Sequence, residues 1–175
     1  YDAGIKVKII TGDNADTTKA IAQQAGIINE SPAVNGSEIV HHTEQELIEL
    51  SRKTTLFTRM FPEAKLRMVN AFKIDEEVVA MLGDGVNDAP ALKAAHIGVA
   101  MGHKGTEIAK AAASLVITDD DLGKLVVGIA AGRRIYANIK KAIQSIISIH
   151  IPIILTVSLP LFLGWIYPHS FTPVH

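Results

Sequence analysis

The sequence predicts an α/β fold: a mostly parallel sheet with helices on both faces, followed by a long helix whose second half is apolar. Three observations point to it. Short β-branched runs alternate with helix-patterned stretches up to about residue 118; turns carrying Gly and Asp follow the first and third of those runs; and Ala142 to Tyr167 contains no Asp, Glu, Lys or Arg.

The strand-like runs are Val7–Ile10, Thr55–Phe57, Val78–Leu82, Ile97–Ala100 and Leu115–Ile117, most of them apolar enough to be buried on both faces. Between them, Asp16 to Ala25 reads as a helix closed by Gly26, a residue suited to the left-handed position after a helix end. Thr43-Glu-Gln-Glu46 has the spacing of a capping box ahead of Leu47 and Leu50. Pro62 opens a helix over Glu63–Phe72, and a further helix is expected over Thr106–Ala113. Strands alternating with helices require crossover connections, which gives a parallel, three-layer arrangement. In such sheets ligands gather at the carboxyl ends of the strands.

After Asp119 the pattern changes to a helix from Leu122 to about Lys141 that runs on without a stop signal into the apolar stretch. About 20 apolar residues suffice to cross a bilayer. Arg133, Arg134, Lys140 and Lys141 precede the apolar run and no charge follows it, so the α/β domain is expected on the cytoplasmic side of a membrane. The expected divisions are 1–121 (α/β domain), 122–141 (connecting helix), 142–167 (membrane span) and 168–175 (extracytoplasmic loop). Pro152 and Pro160 should interrupt the span and free carbonyls near Ser148, His150, Thr156 and Ser158. An ionisable group in a membrane is a functional candidate, so Ser148 and His150 are candidate ligands of a transported ion; packing at the helix entrance is the alternative for His150.

Bulk properties narrow the function. The 175 residues suffice for one domain with a real core, and 17 Lys and Arg against 18 Asp and Glu leave no basic excess for nucleic acid. The absence of cysteine excludes disulfides, thiolate metal sites and a cysteine nucleophile. No signal peptide is expected, and the chain opens without methionine on strand-like sequence, as a piece of a longer protein would.

The candidate chemistry lies at the strand ends. Asp84, between Gly83 and Gly85, is suited to ligate Mg2+ directly, and Asp88 could do so directly or through water, because magnesium takes hard oxygen ligands and usually one or two carboxylates. Ordinary turn chemistry for Asp84 and a helix-start acid for Asp88 are the alternatives. Thr11 and Gly12 offer a hydroxyl and an amide to phosphoryl oxygens, or form a strand-to-helix cap. Lys65 could set its ammonium over the same group, or be a solvated surface lysine. Asn87 could donate to phosphate, orient a carboxylate, or cap a helix. Phosphoryl transfer needs a metal, a cation, a donor cradle and a nucleophile; only the nucleophile has no candidate.

TGDN at 11–14, FTRMFPEAK at 57–65, MLGDGVNDAPALKAAHIGVAMG at 81–102 and GRRIYANIKK at 132–141 resemble the P-type cation-transporting ATPases. The resemblance spans essentially the whole chain: the second half of the phosphorylation domain, the stalk and the fifth transmembrane helix. It implies a haloacid-dehalogenase-like Rossmannoid fold, and a cycle in which an aspartate takes the γ-phosphoryl of ATP and is then hydrolysed, coupled to ion movement. It implies Asp84 as Mg2+ ligand, Asp88 and Asn87 as supports of metal and phosphate, Thr11 and Gly12 as phosphoryl contacts, Lys65 as neutralising cation, and Asp13 and Arg59 near the nucleotide. The implied partners are ATP, a transported cation, the lipid bilayer and the remainder of a pump. The family's Asp-Lys-Thr-Gly-Thr nucleophile motif and nucleotide-binding domain do not occur here, and Asp2 in YDAGIK is no substitute. GVNDAPALK leans toward the calcium, sodium/potassium or proton branches, with calcium favoured, although SIHIPIILT at 148–156 supplies no acid. A membrane-anchored phosphatase and a non-catalytic module binding Mg2+ and phosphate are the competing expectations.

Overall fold

The structure is a computed structural model, and it describes residues 1–27 and 31–162. The chain divides into two units, Tyr1–Leu122 and a second from Gly123 onward. The first is a parallel α/β unit. In chain order it comprises β1 (Ile9–Ile10), α1 (Ala15–Gln24), β2 (Val34–Asn35), α2 (Gly36–Ile39), α3 (Glu44–Lys53), β3 (Leu56–Thr58), α4 (Pro62–Ile74), β4 (Ala80–Gly83), a 3-10 turn at Val86–Asp88, α5 (Ala89–Ala94), β5 (Ile97–Met101), α6 (Glu107–Ala112) and β6 (Leu115–Ile117).

Among the described residues every strand pairing is parallel, but the expected sheet is divided into two ladders, β1-β3-β2 and β4-β5-β6. β1 and β4 do not bond to each other along their lengths. They are linked at their amino ends, where Lys6 Nζ meets Glu77 Oε1 at 2.8 Å. β2 and α2 were not anticipated from sequence, because two strand residues and four helix residues carry no readable period.

Local chemistry explains most boundaries. Asn14 Oδ1 accepts the Thr17 N–H at 2.9 Å to start α1. The helix ends in a Schellman motif: Ile27 N–H donates to Ala22 O, Gly26 N–H donates to Gln23 O, and Gly26 has φ +67°. At α3 the capping box closes as expected, with Thr43 N–H donating to Glu46 Oε2 at 2.7 Å and Glu46 N–H to Thr43 Oγ1 at 3.4 Å. Bonds donated by the Thr43 N–H and the Thr43 hydroxyl to its ionised form hold the Glu46 carboxyl below the usual range. Arg52 and Lys53 in the last turn complement the helix dipole, and Arg52 grips Asp75 at the end of α4, which lowers the Asp75 carboxyl as well. Pro62 begins α4 as its sequence position requires.

Among the described residues the apolar core has two clusters. One packs Ile39, Leu47, Phe57, Met60, Met68 and Phe72 around the first ladder, with the Phe57 and Phe72 rings edge-to-face at 6.5 Å. The other packs Val69, Met81, Leu92 and Ala100 under the second. Val79 touches both.

The second unit contains α7, Gly123–Phe162, a single 40-residue helix. The prolines do not interrupt it: Pro152 and Pro160 both lie inside the helix. The missing proline N–H groups remove one backbone bond apiece, which the flanking turns of a long helix tolerate, and Thr156 Oγ1 donates back to Pro152 O at 2.7 Å. Among the described residues this is the one helix long and apolar enough to cross a membrane, and none of its apolar window is buried. The end of the expected span, 163–167, and the expected loop 168–175 lie outside the described residues.

Candidate functional site

The candidate residues gather at the carboxyl ends of the strands and fall into two groups joined by one loop. The first is Thr11-Gly12-Asp13, directly after β1. Thr11 Oγ1 donates to Asp13 Oδ2 at 3.0 Å and accepts the Asp13 N–H at 3.1 Å, a compact hydroxyl–carboxylate turn. Backbone bonds fasten this turn to the β3–α4 loop: Met60 N–H donates to Thr11 O and Arg59 N–H to Asp13 O, both at 2.8 Å. Arg59 adopts φ +48° to make that approach, an uncommon conformation for a residue with a Cβ. Gly36 permits the turn from the other side, since a Cβ there would sit 2.5 Å from Arg59 O. Beside Gly12 there is open room, the nearest atom to a Cβ being Met60 O at 3.7 Å.

Lys65 and the Gly83–Asp88 turn form the second group. Lys65 sits on the first turn of α4, its N–H bonded to Phe61 O, and its Nζ meets Asp88 Oδ1 at 2.6 Å. Both side chains are largely covered, 12% and 11% exposed, so Lys65 is not a solvated surface lysine. Asp88 Oδ2 accepts the Gly85 N–H at 3.2 Å. Gly83 is glycine for a reason: a Cβ would lie 2.6 Å from the Asp88 Cβ. Thus the two glycines and two acids of this turn are mutually fitted, with Asp88 folded over the strand end and Asp84 left facing solvent. Asn87 is also exposed, on the 3-10 turn.

Lys65 and Asp88 therefore meet directly, as do Thr11, Asp13 and the Arg59 backbone. Across the two groups, the β3–α4 loop is the connection: it bonds Thr11 through Met60 and launches the helix carrying Lys65. Among the described residues no three His, Asp or Glu side chains form a metal cage. Mg2+ usually takes one or two carboxylates from a protein when phosphate and water complete its shell; here Asp84 is exposed, while both oxygens of Asp88 accept bonds, from Lys65 and from the Gly85 N–H. A shallow cavity lined by Lys19, Ala22, Gln23, Ile27 and Leu56 includes none of these residues.

In the second unit, His150 Nδ1 is 2.8 Å from Ile146 O, so this ring nitrogen is engaged by its own helix. Ser148 and His150 are both exposed.

Two residues that no sequence motif singled out also belong to this edge. Thr106 N–H donates to Asp84 O at 2.8 Å. Asp120, with φ +57°, accepts the N–H groups of His103 and Lys104 at 3.0 and 2.9 Å. Burial acts to raise the Asp120 carboxyl, yet the bonds from the His103 and Lys104 N–H groups leave it below the usual range. The only local signal was a run of three aspartates, Asp119–Asp121, ahead of the long helix.

The fold and these strand-end turns define a class that comparison with known proteins bears out. A family model described as haloacid dehalogenase-like hydrolase matches residues 2–96, and the chain belongs to that family. More particularly, it is 45% identical to calcium-transporting ATPase 1 of Lactococcus lactis over 96% of its length, and 42% identical to calcium-transporting ATPase 1 of Bacillus cereus over 99%. It is 41% identical to the endoplasmic reticulum calcium ATPase srcA of Aspergillus fumigatus over 98% of its length. The chain covers 19% of each of the two bacterial relatives and 18% of the fungal one, less than a fifth of their lengths. Among solved structures, the catalytic domain of the CPx-ATPase CopB-B aligns with a TM-score of 0.55 and 29% identity, covering 73% of this chain and 40% of that one.

Proposed function

We propose that this chain is part of an ATP-driven cation pump of the P-type, contributing most of the machinery that handles an aspartyl phosphate. The observation that carries the reading is the Lys65–Asp88 contact at 2.6 Å, because it brings the FPEAK helix and the GDGVND turn to one place. High identity to ATPases named for calcium or cation transport supports the transport reading.

Asp84 and Asp88 would hold Mg2+, which, when bound, would offset the negative charge of the phosphoryl group and screen it from the carboxylates. Thr11 Oγ1 and the Gly12 N–H donate to phosphoryl oxygens, and Lys65 supplies the cation that matches charge accumulating in transfer. Asn87 orients the phosphate or a carboxylate, while Asp13 and Arg59 stand on the nucleotide side. A carboxylate oxygen from an Asp-Lys-Thr-Gly-Thr segment outside this sequence attacks the γ-phosphorus of ATP, ADP leaves, and water then cleaves the acyl phosphate. The separate ladders, with β1 and β4 not bonded to each other, are compatible with a catalytic segment supplied from elsewhere in the pump.

Residues 1–121 act as the partial phosphorylation domain on the cytoplasmic side, 122–141 as the stalk, 142–167 as the span and 168–175 as the loop beyond it. The transported cation is calcium, supported by the names of several relatives; Ser148 and His150 are its candidate contacts here. Calorimetry on the chain in detergent tests the site. Inorganic phosphate should bind in the presence of Mg2+, and Asp84→Asn should weaken that binding about tenfold or more through loss of one ligand charge beside the anion. Undiminished binding by the variant refutes the metal assignment.

A further inference from the structure

The hydrogen bonds at the carboxyl edge of the second ladder form a continuous lace. After β4, Asp84 O accepts from Thr106 N–H at 2.8 Å. Beyond β5, the Gly102–Thr106 segment is held from behind, because Gly102 N–H donates to Ile117 O at 2.8 Å and the next two N–H groups donate to the Asp120 carboxylate. Past β6, Asp120 N–H donates to Ile117 O at 3.2 Å, so Asp120 and Gly102 share that carbonyl. Backbone packing is tight throughout: a Cβ on Gly105 would lie 2.1 Å from Met101 O, and one on Gly102 2.6 Å from both Ile117 O and Thr118 O. The loop cannot slide without breaking these contacts.

We propose that Asp120 is a positioning residue for Asp84: by gripping His103 and Lys104 it fixes Thr106, whose N–H fixes the carbonyl of the residue that presents the metal-binding carboxylate. Charge-assisted bonds from a carboxylate to backbone N–H groups are about twice as strong as neutral ones. The residue adopts a left-handed conformation to make them, and a non-glycine residue there costs energy that the bonds offset. Asp120 lies three residues before the first residue of α7. This role rests on the metal-binding reading of Asp84 given above.

Asp120→Gly separates the carboxylate from the backbone, since glycine adopts φ +57° freely. The experiment reads amide hydrogen exchange of the chain in detergent together with its Mg2+-dependent affinity for inorganic phosphate. In Asp120→Gly the amides of His103, Lys104 and Thr106 should exchange about tenfold faster or more, and phosphate affinity should fall about tenfold. Asp120→Asn, which tolerates the same φ and keeps one acceptor oxygen, should fall between. Breaking the Arg52 pair with Asp75→Asn should leave both readouts unchanged, which separates positioning from general loss of stability. Unchanged exchange at Thr106 in Asp120→Gly overturns the proposal, and so does faster exchange with undiminished phosphate affinity. If the parent chain binds no phosphate with Mg2+, the functional reading fails on its own, and Thr106 exchange still decides whether Asp120 holds the Asp84 loop.

Discussion

The two ladders of the α/β unit use the same kind of strand and end in the same kind of turn, yet they are covered differently. In the first, all three residues of β3 are buried, Leu56 and Phe57 completely, so both faces of its central strand are packed. In the second, the face carrying Met81, Gly98 and Ala100 is buried against α5 and α6, whereas Ala80, Leu82, Ile97 and Leu115 are exposed. The register pairs Ala80 with Ile97 and sets Leu82, Val99 and Leu115 in one row, so these exposed residues share a face, while Val116 is exposed on the other. On that face Val99 and Ile117 are buried. Burial by this chain's own helices covers both faces of β3, whereas in the second ladder the face of Leu82 and Leu115 is covered only in part.

The largest effect that would test this contrast is expected at Phe57. Phe57→Ala removes a fully buried ring and its edge-to-face partner contact, and should cost about 3–5 kcal/mol in denaturant unfolding of the α/β unit. A loss well under that would mean the first ladder is not the better packed. Next comes Gly98→Ala, on the covered face of the second ladder, where a Cβ would meet Leu92 O at 2.4 Å; the overpacking should cost about 1–3 kcal/mol by the same measurement. Smallest is Leu115→Gln on the open face, expected to change unfolding by no more than about 0.5 kcal/mol. A large loss there would show that the face is packed in solution.

Much of the fold was legible in the sequence where a feature depends on a few neighbouring residues. The Thr43–Glu46 box, Gly26 after α1, Pro62 at the start of α4 and β6 at Leu115–Ile117 all follow from local bonding or a clear apolar run. Other elements were shifted by a few residues because strand ends are set by partners: β1 keeps only Ile9–Ile10 of the expected run, and β4 begins at Ala80. Proline pattern alone overstated the break in α7, since a long helix absorbs the loss of single bonds.

For the candidate site, the residue types and their turns were legible in the sequence: two glycines around Asp84 that let the backbone approach closely, a hydroxyl beside an acid after β1, and a lysine in the first turn of a proline-led helix. Tertiary contacts alone bring Lys65 to Asp88, join Thr11 to that pair through the β3–α4 loop, divide the sheet into two ladders, and set the Asp120 carboxylate against the loop whose Thr106 bonds the Asp84 carbonyl. The physical reason is range. Caps and turns are closed by groups within about four residues, whose geometry the backbone fixes. Contacts between residues 23 apart, such as Lys65 and Asp88, depend on where the packed core sets whole elements, which no short stretch of sequence encodes.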